Sequence, residues 1–114
     1  MNKKTLSLLL TASVSLGAAV PAALAATRSI KVGDNYFVRS SGVPTVTVKK
    51  GTTVKWKFAG GSPHNVTVSK GPVKFKSKTM ISGSYSKKVT KAGTYRIFCS
   101  IHGASDQSMV LKVK

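Results

Sequence analysis

The residues best suited to chemistry in this chain lie in one stretch, Cys99-Ser100-Ile101-His102-Gly103-Ala104-Ser105-Asp106-Gln107-Ser108-Met109. It carries the only cysteine, one of the two histidines, and two side chains, Gln107 and Met109, able to donate weakly to a metal. The other histidine, His64, stands alone in Ser62-Pro63-His64-Asn65-Val66. A thiolate with imidazoles is a soft donor set that suits copper, and zinc equally by residue type. Hydrolytic carboxylate chemistry is excluded on composition, because Asp34 and Asp106 are the only acidic residues. No general acid/base pair stands out, so the chain reads as a non-enzyme. A Cys-x-x-His pair is a weak signal alone, and its meaning depends on the elements that bring His64 to it.

Those elements read as short strands. Val54, Trp56 and Phe58 share one face of Thr52–Phe58 while Lys55 and Lys57 take the other, the period-two pattern of a half-buried strand. Thr45–Lys49 alternates in the same way after the turn Ser40–Pro44. Arg28–Val32, Tyr36–Val38, His64–Val68, Ser84–Val89, Thr94–Cys99 and Met109–Val113 complete the set. The loop Gly33-Asp34-Asn35 separates the first two, and turns at Lys50-Gly51 and Lys91-Ala92-Gly93 separate others. Residues 70–83 carry no readable pattern beyond packing of Phe75 and one of Met80 or Ile81. Seven to eight short strands in about ninety residues predict an all-β Greek-key sandwich, with an open barrel as the other all-β solution. Parity then points Cys99 inward with Tyr95 and Ile97, and His64 inward with Val66 and Val68. Trp56 reads as core and Tyr95 as a sandwich-corner tyrosine.

If those strand ends adjoin, thiolate and imidazole meet at one end of the sandwich. His102, in a loop rich in small residues, folds back to complete a trigonal Cys-His-His set. With a weak axial donor this is the ligand combination of a blue-copper centre.

The chain's start is a separate matter. Lys3 and Lys4, the apolar run Leu6–Val20 and the small-residue segment ending Ala23-Leu24-Ala25 are laid out as a secretory signal peptide. The run is shorter than the roughly 20 apolar residues of a membrane span, and no cysteine near the cleavage site supports a lipid anchor. Cleavage after Ala25 leaves residues 26–114 as one small domain. An exported domain with one cysteine has no internal disulfide, so a bound metal is the available staple. With Lys3 and Lys4 removed, 17 basic residues face 2 acidic ones, a net +15. Such a balance attracts anionic partners: an acidic protein, an envelope polymer or nucleic acid.

Four segments resemble the plastocyanin/azurin-type cupredoxins in order and spacing. They are Thr45-Val46-Thr47-Val48-Lys49-Lys50-Gly51, Val54-Lys55-Trp56, Pro63-His64-Asn65-Val66, and Ala92–Gly93 through Tyr95 and Cys99 to His102. The resemblance implies a cupredoxin fold over residues 26–114, one type 1 copper, and His64, Cys99 and His102 as equatorial ligands. It also implies that Asn65, with Ser100 beside the cysteine, ties the ligand loops together and that the Asn65 backbone N–H meets the cysteine sulfur. The axial position departs from the plastocyanin pattern. Five residues after His102 stands Gln107 rather than methionine, as in stellacyanin-like members, while Met109 is seven residues after it. Gln107 is the favoured axial donor and Met109 the runner-up, which packs in the core otherwise.

The implied function is single-electron transfer by Cu(II)/Cu(I) cycling in the periplasm or outside the cell. The expected partner is a redox protein with an acidic docking surface, met by a monomer without a stable membrane anchor. Extracytoplasmic copper storage or delivery uses the same ligands. A secreted polycation binding anionic polymer is a third reading. Specific nucleic-acid binding is not expected, because no surface aromatics interleave the lysines.

Overall fold

The computed structural model describes residues 26–114; the signal-peptide reading falls on residues 1–25, outside the described residues. Eight strands form: β1 (Thr27–Gly33), β2 (Tyr36–Phe37), β3 (Thr45–Val48), β4 (Thr52–Phe58), β5 (Thr67–Lys70), β6 (Gly83–Val89), β7 (Gly93–Phe98) and β8 (Ser108–Val113). No helix occurs among the described residues. The strands make two four-stranded sheets, ordered β2-β1-β4-β6 and β3-β8-β7-β5. The pairs β1–β4 and β3–β8 are parallel; β4–β6, β5–β7 and β7–β8 are antiparallel.

Alternation does the sorting. In β4 the side chains of Val54, Trp56 and Phe58 are buried while Lys57 is exposed. In β7 and β8 the buried set is Tyr95, Ile97, Met109, Leu111 and Val113. These faces close on one core that also holds Ile30, Val32, Phe37, Val46 and Val66. Trp56 is its largest member, with Tyr85 and Phe75 rings tilted against it at 5.8 and 6.0 Å. Its indole N–H is buried without a hydrogen-bond partner. Val38, in the left-handed region at φ 67, is a β-branched residue where strain is expected.

Registers define two ends. Phe58 pairs with Gly83 and Phe98 with Ser108 at one end, where Gly33 also lies. Thr52 pairs with Val89, Val48 with Val113 and Gly93 with Val113 at the other. At this second end the Tyr95 hydroxyl, on a side chain only 1 % exposed, donates to the Lys91 carbonyl at 2.8 Å. That is the sandwich-corner role expected of Tyr95. Tyr95→Phe is expected to cost about 1 kcal/mol of stability, the usual worth of one such bond, read as a lower urea midpoint at unchanged slope.

Two segments differ from the sequence expectation. The strand expected over His64–Val68 begins only at Thr67. The unassigned segment after it supplies the reason, because it folds back along residues 64–68. His64 and Met80 exchange backbone hydrogen bonds at 2.9 and 2.8 Å, the Ser77 N–H donates to the Val66 carbonyl, and the Val68 N–H donates to the Phe75 carbonyl. Phe75 and Met80 pack on the core, while Ile81 is 55 % exposed.

Candidate metal centre

The first end gathers the chemistry. His64 lies on the connection from β4 to β5, and Cys99 follows β7 directly; both are fully buried. The β7–β8 loop turns tightly, with Gly103 N–H donating to the Cys99 carbonyl at 2.9 Å and Cys99 N–H to the Gln107 carbonyl at 3.1 Å. Gly103 stands at φ 85, a conformation that suits glycine. The turn folds His102 back, half-buried, until its Nδ1 is 3.4 Å from Cys99 Sγ. The His64 and His102 ring centroids are 4.9 Å apart. One donor atom from each of His64, Cys99 and His102 lies within 4.8 Å of the others. Two imidazoles and a thiol converging without an acidic ligand fit a soft, low-coordination metal ion.

Gln107 completes the surround and is 1 % exposed. Its Nε2 group donates to the backbone carbonyls of Gly33 at 2.9 Å and Tyr36 at 2.8 Å. Carbonyls only accept, so the amide has one sensible orientation. Its Oε1 therefore faces the cluster, 2.9 Å from His64 Nδ1. Met109, in register with Ile97 and 1 % exposed, belongs to the core.

Two contact sets hold the ligand loops. The Asn65 amide donates to Ser100 Oγ at 2.8 Å and accepts from the Ser100 N–H at 3.0 Å, joining the His64 and Cys99 segments. The other set was not legible in the sequence. Asp34, in the β1–β2 turn, accepts from His64 Nε2 at 2.9 Å, the Ser62 hydroxyl at 2.9 Å, and the N–H groups of Gly61 and Ser62. The Gly61 N–H first, then His64 and Ser62, holds the carboxyl well below the usual carboxylate range. The Asp34 carboxylate takes the hydrogen at Nε2, so Nδ1, which faces the Gln107 oxygen at 2.9 Å, is the nitrogen turned toward the cluster and the one a metal would take in place of that contact. A Cβ on Gly60 would lie 2.2 Å from the same carboxylate, which requires glycine at that turn. The signal missed was a scarce carboxylate in a tight turn; nothing in its spacing relates position 34 to position 64.

Asp34→Asn keeps the size of the side chain and removes its charge. It is expected to weaken metal retention tenfold or more, within the roughly 10–100-fold range for such outer contacts, measured by competition with a chelator.

An eight-stranded sandwich with a buried His-Cys-His cluster at one end is the architecture of a cupredoxin. Residues 27–114 match the family described as copper binding proteins, plastocyanin/azurin family. The chain belongs to that family, whose members generally carry single electrons on copper, and its cluster fits a single type 1 copper site. Among solved structures, a methionine-to-glutamine variant of amicyanin in its Cu(I) form is 27% identical, with a TM-score of 0.64 over 77% of this chain and 82% of that one. A purple cupredoxin from Nitrosopumilus maritimus shares the fold at 18% identity and a TM-score of 0.61, over 76% of this chain and 99% of that one. A copper-containing nitrite reductase from Thermus scotoductus SA-01 matches at 20% identity and a TM-score of 0.63, over 77% of this chain. This chain spans only 22% of that enzyme's length. No curated protein matches the chain.

Proposed function

We propose that this chain is an exported electron carrier in which His64, Cys99 and His102 hold copper and the Gln107 carbonyl oxygen is the weak axial donor. The observation that carries the reading is a buried donor set held from outside by fixed partners. Asp34 holds His64, Asn65 ties the His64 segment to Ser100, and the Gly33 and Tyr36 carbonyls hold Gln107. When bound, copper supplies a Cu(II)/Cu(I) couple. Side chains fixed this firmly resist rearrangement between the two states, which keeps single-electron exchange fast. The core position of Met109 favours Gln107 over it as the axial donor.

His102 is the half-buried member of the set and the natural edge for electrons to leave. Ile101, 50 % exposed, adjoins it, and Ile81 follows the residue paired with His64. With Pro63, Gly103 and Ala104 they give an apolar rim suited to transient docking. Lys31, Lys57, Lys76 and Lys78 are exposed on the same half of the molecule and would steer an acidic partner. Transfer to such a partner is expected to slow steeply as salt rises, measured by stopped-flow at increasing ionic strength; a flat response would remove the steering role. Full burial of His64 and Cys99 weighs against copper delivery, which needs ligands within reach of an acceptor.

The test is direct. Adding Cu(II) to the purified protein should give an intense visible thiolate-to-copper band and an EPR signal with small copper hyperfine splitting. A folded sample showing neither would end the reading.

A further inference from the structure

Asp34 does more at the metal centre than hold a ring in place. It lies in the two-residue turn between Gly33 and Tyr36, which pair in register, with Asn35 at φ 63 completing the reversal. Four groups donate to its carboxylate, all from residues 61–64. The Gly61 N–H reaches both oxygens at 3.0 Å, the Ser62 N–H one of them at 3.2 Å, and the Ser62 hydroxyl and His64 Nε2 the same one at 2.9 Å. Gly60 packs so closely that a Cβ there would collide with that oxygen. The carboxylate is therefore fixed against the edge of the imidazole.

No lysine or arginine cancels its charge. The chain carries 19 basic residues, yet among the described residues the one ion-pair contact of Asp34 is with His64. Its other donors are neutral N–H and O–H groups. Across the ring, Nδ1 is turned toward the cluster. Asp106, the other carboxylate, is exposed in the β7–β8 loop and in no ion pair among the described residues.

We infer that Asp34 selects the oxidation state of the centre: its charge, acting through the His64 ring, favours Cu(II) over Cu(I) and lowers the reduction potential. The inference rests on the copper reading above. An anion at a fixed distance attracts a dication about twice as strongly as a monocation. A carboxylate on the far nitrogen also makes an imidazole the more basic donor. Both effects favour the oxidised metal. Water screens the charge, because the Asp34 side chain is 53 % exposed, so the preference is about tenfold, the low end for such outer contacts. The same turn fixes Gln107 through the Gly33 and Tyr36 carbonyls. One short turn thus governs two groups that favour Cu(II), one by charge and one by a hard oxygen.

Asp34→Asn tests the inference, because the asparagine oxygen still accepts from the same loop and the charge is lost. In redox titration of the copper-loaded variant, the ratio of Cu(II) to Cu(I) affinity should fall about tenfold, a rise of about 59 mV for one electron. A merely positional role would weaken both oxidation states alike and leave the potential where it was. Asp106→Asn makes the same change in net charge and should move the ratio by less than about threefold, as an exposed charge without a ligand contact. Equal shifts in the two variants would mean bulk charge alone and overturn the inference. The contact is also read without metal. In metal-free protein the hydrogen on His64 Nε2 should give a slowly exchanging downfield proton resonance, about tenfold less protected in Asp34→Asn. Equal protection in the two proteins would show that the carboxylate does not hold that nitrogen, and would also overturn the inference. A wild-type protein without the blue spectrum would end the copper reading, whereas a blue Asp34→Asn variant with an unshifted potential overturns this inference alone.

Discussion

Replacing Cys99 with serine is expected to abolish the type 1 copper signature while leaving the sandwich folded. Serine is nearly isosteric, and the Cys99 backbone bonds to Gly103 and Gln107 do not involve its side chain. The hydroxyl stays protonated where a thiol is readily lost to a metal as thiolate, so the cluster loses its only anionic donor. Copper also binds the native state and not the unfolded one, so it raises stability by mass action, about 4 kcal/mol at a thousandfold excess over the dissociation constant. Wild-type protein should therefore melt several degrees higher with copper than without. Cys99→Ser should show the unloaded melting temperature in both conditions and no intense visible band. A retained blue band in the variant would sink the assignment of Cys99.

The second large effect is expected at Gln107. Methionine there exchanges a hard carbonyl oxygen for a soft thioether, which favours Cu(I) and raises the reduction potential. A hundredfold change in the ratio of Cu(II) to Cu(I) affinity corresponds to roughly 120 mV for one electron, and a rise of that order is expected. The substitution has a second consequence, independent of copper. Methionine lacks the two N–H donors that Gln107 gives to the Gly33 and Tyr36 carbonyls, and each such bond is worth about 1 kcal/mol. Gln107→Met should thus be less stable even without metal. Redox titration of the folded, copper-loaded variant separates the two effects. An unchanged or lower potential would mean that the Gln107 oxygen is not the axial donor.

Much of the fold was legible because a two-residue period leaves a plain trace. The inward sets Val54-Trp56-Phe58 and Tyr95-Ile97-Cys99 lie on the core side in the structure. The cluster was legible in part for the same reason, since parity aimed Cys99 inward at the end of its strand; His64 lies before β5 with Asn65 and Val66 buried beside it, so alternation is not what buries it. Two parts were not readable. Residues 70–83 pair with residues 64–68 largely through single backbone bonds and the Ser77 hydroxyl, which impose no alternation. Asp34 is defined by what it accepts, and all four of its donors come from a loop about thirty residues away that sequence alone leaves unplaced. Charge totals also concealed a division: both acidic residues sit at the metal end, and Lys49, Lys50, Lys88, Lys91, Lys112 and Lys114 are exposed at the other.

The β1–β2 turn belongs to one sheet and Gln107 to the loop between two strands of the other, so the bonds between them exist only once the sheets have docked. His64 likewise lies on the crossing from β4 to β5, between the sheets. The cluster is thus expected to complete late on the folding route, after the pairings that build each sheet. Interactions absent from the transition state act on escape from the native basin rather than on entry to it. Copper should therefore lengthen the lifetime of the folded protein many-fold and leave the rate of its formation almost unaltered.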